Sequence, residues 1–409
     1  MAPSPPRLPR RAWLIVALLW FVVSFNFMNR IMLTTMHGSI LAAFPINETQ
    51  FGLLTSVFLW TYGLSSPIAG FLSDRFGRSR VIILTLFIWS AVTWLTTFVR
   101  TFDQLLVMRA IVGVCEACYL PAALALISEY HQGTTRSLAT GLHSTGMVAG
   151  SAIGGFGGWV AEHHGWTAAF TWAGAAGVAY CLPLLLWLRD SPGPEGAAPT
   201  LLSPAPVRFG AALRNLCAQR NFALAVGFWG VLGATSWAVS GWMPVFFREH
   251  FHLTQGAAGI ATQDYACVAG LTGMLGGGFW ADRWSRRNPR GRIFVPVVGL
   301  CLAAPGLLLM ANTGLLAVAI SGLVLFAIAG GFANSNMMPI LCLITDPRFR
   351  ATGYGILNMA GTIAGGLAVF IAGALRDRQV DLSVVLDWST LSLIFCATFL
   401  LLLRPRDAA

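Results

Sequence analysis

The sequence predicts an all-α membrane protein, with twelve transmembrane helices in two pseudo-symmetric six-helix bundles. Three observations predict it. The composition is apolar, with 56% hydrophobic residues, 10% charged residues and a mean hydropathy of +0.69. Apolar runs of membrane-spanning length recur from one end of the chain to the other. A Gly-x-x-x-Asp-Arg stretch stands at equivalent points of the two halves, at Gly70–Arg75 and again at Gly278–Arg283.

The composition excludes a water-soluble fold first. Soluble domains carry roughly 25% charged residues, so this chain could not cover its surface in water, whereas lipid would suit it. The net charge of +10 raises the question of an acidic partner such as nucleic acid. All 26 basic residues are arginines, and most fall in short loops between apolar runs. That distribution carries topology and not a nucleic-acid footprint. Eight cysteines lie mainly within apolar stretches. Cys115 and Cys118 form a CxxC with no second pair beside it, so no metal or redox cofactor is expected. The first eleven residues hold three arginines, followed by an apolar run with no cleavage site. This predicts a retained first span, not a removed signal peptide.

The apolar runs come next. About twenty apolar residues cross a bilayer as a helix. Candidate spans cover about 13–36, 51–73, 81–100, 104–127, 137–160, 166–188, 222–247, 256–280, 293–312, 315–344, 353–375 and 383–403. They divide the chain into a first bundle over 1–188 and a second over 222–409. Between them a polar linker, 189–221, holds Pro192, Pro194, Pro204 and Pro206 and a short amphipathic helix at the membrane surface. With the N-terminus inside, about 20 arginines face the cytoplasm, while Arg100, Arg248, Arg376 and Arg378 face out. The bias predicts cytoplasmic termini in a cell inner (plasma) membrane.

The repeat is the third observation. The Asp-Arg pairs at 74–75 and 282–283 stand 208 positions apart, about half of the 409 residues. Thr49-Gln50 before the second span is echoed by Thr254-Gln255 before the eighth, and Arg136 before the fifth by Arg350 before the eleventh. Such repeats mark transporters that hold substrate between two related bundles near the midplane.

Gly70-x-x-x-Asp74-Arg75-x-Gly77-Arg78 resembles the signature loop of the major facilitator superfamily, with Ser79 where a basic residue is usual. The resemblance covers nearly the whole chain and implies the family fold, alternating access by rocking bundles and a functional monomer. Phe27-Met-Asn29-Arg30, with Arg109-x-x-x-Gly113-x-x-Glu116, resembles the organic anion:cation symporters, which carry sugar acids and related carboxylates with protons. The same pieces, with Arg286-Arg287-Asn288-Pro289-Arg290, also resemble the spinster-type lysolipid and sphingoid transporters. Both groups usually place Asp where this chain has Asn29.

Several residues can carry the chemistry. Arg30 lies mid-span, where an arginine costs at least about 2.5–3.5 kcal/mol. It must meet a partner or a water-filled cavity, either as an anchor for a carboxylate or phosphate or as half of a structural ion pair. Glu116 is the best acid in the membrane, a proton carrier or a permanent partner of Arg30 or Arg109. Seven residues separate Arg109 from Glu116, about two turns, which puts both on one helix face. His143 and Ser144 in the fifth span are candidates for substrate contact or packing. Asp264, in the outer part of the eighth span, is a further proton-coupling candidate. Asn334 and Asn336 in the tenth span and Asn358 in the eleventh are candidates for binding hydroxyls. Tyr62, Tyr119 and Trp237 are candidates for the cavity wall. Gly70, Asp74, Arg75, Gly77 and Arg78, with Gly278, Asp282 and Arg283, are read as gates on the inner face. The glycine row at 146, 150 and 154 resembles an antiporter motif, with Ser151 for its proline, and equally permits close helix packing.

These residues predict a secondary transporter that moves a small organic anion, such as a sugar acid or other carboxylate, together with protons. The alternative is a spinster-like, proton-linked exporter of a lysolipid or other amphiphile. A membrane enzyme is not expected, because HExxH, GxSxG and a P-loop lysine are all missing from the sequence.

Overall fold

The computed structural model describes residues 10–131, 135–190, 209–288, 290–346 and 349–403. Those residues form α-helices joined by short turns, with no strand among them. In the first half the helices are α1 (Arg10–Thr35), α2 (His37–Ala43), α3 (Glu48–Phe76), α4 (Arg78–Leu95), α5 (Phe102–Ala117), α6 (Tyr119–Tyr130), α7 (Arg136–Gly155), α8 (Gly157–His164) and α9 (Trp166–Trp187). After α10 (Phe209–Cys217) follow α11 (Arg220–His250), α12 (Gln255–Ser285), α13 (Gly291–Asn312), α14 (Leu316–Ile344), α15 (Arg350–Asp377) and α16 (Leu382–Leu402). Helix α10 falls inside the stretch predicted to hold a surface helix; residues 191–208 of the predicted linker lie outside the described ones.

Nine helical stretches among the described residues are long and apolar enough to cross a membrane. The helices α3 and α12 and the pair α7–α8 interleave with them at matching length. The fourth span, read from sequence as one apolar run, is broken at Cys118 between α5 and α6. Pro121 supplies the reason, because it has no N–H to give to the Ala117 carbonyl. The break falls two residues after Glu116.

The packing repeats as the sequence does. In the first half α1 runs along α7, α3 along α5 and α4 along α9. In the second half α11 runs along α15, α12 along α14 and α13 along α16. Between the halves α3 lies on α15, and α7 and α8 lie on α12. Small residues permit the closest approaches. A Cβ at Gly150 would stand 2.2 Å from the Ser24 carbonyl oxygen, and one at Gly146 would stand 2.7 Å from that of Trp20. The glycine row is therefore the seat of α1 against α7, where backbones meet directly.

Candidate functional site

A buried cluster of titratable side chains sits among α1, α3, α4 and α5. The Nε of Arg30 donates to Glu116 Oε2 at 3.1 Å, and both side chains are buried, 7% and 0% exposed. Next to Arg30, the Asn29 amide donates to Thr93 Oγ1 at 2.7 Å, tying α1 to α4. Arg109, 3% exposed, reaches the Leu54 carbonyl with its Nε at 3.4 Å, beyond the usual range for such a bond. Its Nη2 has no hydrogen-bond partner, and neither has Glu116 Oε1.

Aromatic rings from two helices enclose the cations. The Arg30 guanidinium carbon lies 4.3 Å from the Tyr62 ring centroid, 4.9 Å from that of Phe27 and 5.4 Å from that of Phe58. Arg109 stands 4.7 Å from the same Phe58 ring. Each contact is a cation–π interaction that burial strengthens. Phe58 thus lies under both arginines, and the cluster holds two guanidinium groups against one carboxylate. It is one negative charge short.

Gly113 of α5 fixes how closely α3 carries Phe58 to the cluster. A Cβ there would stand 2.2 Å from Thr61 Oγ1 and 2.6 Å from the Phe58 carbonyl oxygen. Overpacking of this kind costs about 1–3 kcal/mol. Gly113→Ala is therefore expected to lower the thermal unfolding midpoint by several degrees, measured on purified protein by a thermal melt.

The other candidate residues fall elsewhere. Tyr119 and His143, both 0% exposed, form a separate pair. The Tyr119 hydroxyl donates to the Leu19 carbonyl at 2.7 Å and lies 2.8 Å from His143 Nε2. Ser144 donates to Thr140 O within its own helix. Trp237 of α11 reaches across to pack against buried first-half residues. On α14, Asn334 is exposed, whereas Asn336 donates to Phe332 O at 2.9 Å. Asn358 of α15 is half-buried. Asp264 of α12 keeps one buried carboxylate oxygen without a hydrogen bond, close to Gly155 of α7. Phe27, Phe58 and Thr93 complete the cluster; Phe27 belongs to the Phe27-Met-Asn29-Arg30 stretch, whereas nothing in the sequence separates Phe58 and Thr93 from ordinary apolar-span residues.

At the end bearing Gly77 the signature loop is held from two sides. Gly77 turns at φ +86° between α3 and α4, a conformation that favours glycine. Asp190 then caps α4, its Oδ1 accepting the Ser79 N–H at 2.8 Å, and Arg78 pairs with Glu129. Arg75 is exposed and lies over Phe76; the surroundings of Gly70 and the side chain of Asp74 lie outside what is described. In the second copy, Asp282 pairs with Arg292 at 3.2 Å, Arg283 is exposed, and Gly278 lies beside Ser335.

A chain of helices long and apolar enough to cross a membrane, packed twice in one pattern with a buried cluster of charged side chains in the first half, is a multi-pass membrane protein. It belongs to the major facilitator superfamily, whose family profile matches residues 19–369. The gallate transporter of Pseudomonas putida is 26% identical over 412 residues, covering 91% of this chain and 87% of that protein. Protein spinster homolog 1 of Homo sapiens is 30% identical over 319 residues, 74% of this chain and 60% of that one. Protein spinster of Drosophila melanogaster is 26% identical over 315 residues, and the chain spans about half of its length, 52%. The fold is that of a bacterial homolog to the human lysosomal transporter spinster, solved in an inward-facing and occupied conformation. The TM-score is 0.82 at 21% identity, over 97% of this chain and 99% of that one.

Proposed function

We propose that the protein is a proton-coupled secondary transporter of a small organic anion, working by alternating access between bundles 1–188 and 222–409. The termini face the cytoplasm, as the arginine bias favours. The observation that carries this reading is the charge imbalance at Arg30, Arg109 and Glu116. A buried net positive charge attracts an anion, and a substrate carboxylate can replace the charge that Glu116 loses when it takes a proton. The free Nη2 of Arg109 and the fork of Arg30 offer donors in the geometry a carboxylate accepts. The rings of Phe27, Phe58 and Tyr62 favour a substrate with a flat or apolar body beside its carboxylate, in keeping with the gallate transporter among the relatives.

Glu116 couples this step to protons. While ionised it occupies Arg30 and competes with the substrate. A proton on its carboxylate weakens the 3.1 Å bond and frees the Arg30 Nε for the incoming anion. Loss of that proton on the cytoplasmic side lets Glu116 recapture Arg30 and expel the substrate. Proton and anion then travel together. Asp264, with its own unpartnered oxygen, is the corresponding acid in the second bundle, and the Asp-Arg loops gate the inner face.

The reading is tested by uptake into proteoliposomes with an imposed pH gradient, across aromatic carboxylates, aldonates, uronates, neutral sugars and lysolipids. Carboxylate uptake is expected to rise when the outside is acidic and to collapse when an ionophore dissipates the gradient. Uptake indifferent to the gradient, or transport of lysolipids but not carboxylates, would overturn it. Asp74→Asn is expected to slow turnover in the same assay without reordering the substrates, because a gate acts on rate and not on recognition.

A further inference from the structure

We propose that Arg376 and Asp377, the last two residues of α15, form a latch on the first turn of α3 that holds the bundles closed at the outer face, to be broken and remade in each transport cycle. Only the word outer rests on the orientation proposed above; the latch itself stands on geometry.

Hydrogen bonds join the two halves from the middle of α3 and α15 to the end where α3 begins. Gln255 of α12 donates to Ser39 Oγ at 2.9 Å and to the Gly158 carbonyl at 3.2 Å, and accepts the Ser39 N–H at 3.0 Å. Ser56 donates to the Gly366 carbonyl at 2.6 Å, and Trp60 to that of Ile363 at 3.2 Å. Helix ends near Gly158, Gln255, Glu48 and Asp377 therefore make the closed face.

These hydrogen bonds join neutral groups, but the latch is ionic. Arg376 grips Glu249 with both nitrogens of its fork, each at 2.9 Å, which fixes it within the second half. Its Nη2 then crosses to Glu48 Oε1 at 3.1 Å. Asp377 completes the grip: its carboxylate accepts the backbone N–H groups of Glu48 at 2.9 Å and Thr49 at 3.0 Å, together with the Thr49 hydroxyl. The Gln50 N–H is already capped by Asn47 within the first half, at 2.8 Å. Asp377 thus caps the donors that Asn47 leaves open at the positive end of α3. It is exposed, so water can take over those bonds when the halves part. A reversible catch needs that property, and buried apolar packing lacks it.

His37 gives the latch a proton-sensitive flank. It is buried at 3% exposure, with Nε2 2.7 Å from Glu48 Oε2 and its ring edge-on to Phe51 and Trp242. The charged groups facing it are Glu48 of α3, Arg248 of α11 and Arg376 of α15. Burial lowers the histidine below its ordinary value, and the bond to Glu48 opposes this only in part. Burial raises Glu48, but its bonds to His37 and Arg376 outweigh that and hold it at about 2. The closed face therefore holds a neutral His37. Its advantage is intact above roughly pH 6.5, the ordinary histidine value, and shrinks below it, because an opened face lets His37 take a proton. The contribution of Glu48 is lost only as pH falls toward about 2. Mild acid outside loosens the latch through His37.

The test is a pair of spin labels at Ala43 and Leu315, exposed residues of the first and second halves at the closed end, in a background with the eight cysteines replaced. Pulsed dipolar spectroscopy in nanodiscs then reads their separation without substrate. The unsubstituted latch is expected to give one short separation at about pH 7.5 and a growing longer one at about pH 5.5, a growth that His37→Gln removes. Arg376→Gln with Asp377→Asn is expected to raise the long-to-short ratio roughly tenfold or more at neutral pH, and Asp377→Glu to keep the short one. Gly373→Leu should split the distribution by sterics alone, since a Cβ there meets the Glu48 carbonyl oxygen at 2.5 Å. The latch is overturned if the charge variants keep the single short separation while Gly373→Leu splits it. These distances involve no transported anion, so their failure and the failure of the anion–proton reading are separately visible.

Discussion

Arg30→Lys is expected to lose carboxylate affinity at least tenfold, and Arg30→Met to lose binding outright. Lysine keeps the charge but not the fork. A single ammonium cannot bond Glu116 and also present two parallel donors to a carboxylate. It also forfeits the flat face that lies 4.3 Å from Tyr62 and 4.9 Å from Phe27. Methionine does more damage, because it leaves Glu116, 0% exposed, without its cation. Breaking a buried pair by removing one partner costs about 3–5 kcal/mol. Arg30→Met should therefore also melt lower than Arg30→Lys. Calorimetric titration with a benzoate-type carboxylate and a thermal melt of the same samples read both effects. Full affinity in Arg30→Lys would remove Arg30 from the anion site.

The second large effect belongs to Glu116→Gln. The amide keeps an oxygen that can accept from Arg30 Nε, so the helices α1 and α5 stay joined, but it carries neither the charge nor the proton. The site becomes permanently anion-ready. Carboxylate binding at neutral pH is expected to tighten about tenfold, while accumulation driven by a pH gradient is lost and carboxylate exchange across the membrane persists. Binding that tightens without uncoupling would leave Glu116 as a structural partner of Arg30 and move the proton elsewhere, with Asp264 the first place to look.

Much of the architecture is legible in the sequence. The apolar runs and the doubled Asp-Arg stretch lead to the helices of membrane-spanning length and the twice-repeated packing that the structure displays. The break at Cys118 is legible too, in hindsight, because Pro121 removes one specific backbone donor. The site is legible only in its charges. Arg30, Arg109 and Glu116 stand out because ionised groups are rare in apolar spans. Phe58 and Thr93 do not, since a ring or a hydroxyl in such a run suits lipid, packing and a binding site alike. Periodicity reveals which residues share a face of one helix; it does not reveal which face of another helix meets them. The same limit hides the latch. Arg376 reads as a loop arginine and Asp377 as its neighbour until α3 is seen beginning against them.

Replacement of the Glu116 carboxylate by a substrate carboxylate beside Arg30, with Glu116 taking a proton and the net charge of the cluster unchanged, is the centre of this account. It is tested most directly by mixing purified protein with a benzoate-type carboxylate in weakly buffered solution and following a pH indicator. A proton taken up with each bound anion, and lost in Glu116→Gln although that variant still binds, is the predicted result. Anion binding without proton uptake, or uptake that persists in Glu116→Gln, would contradict it.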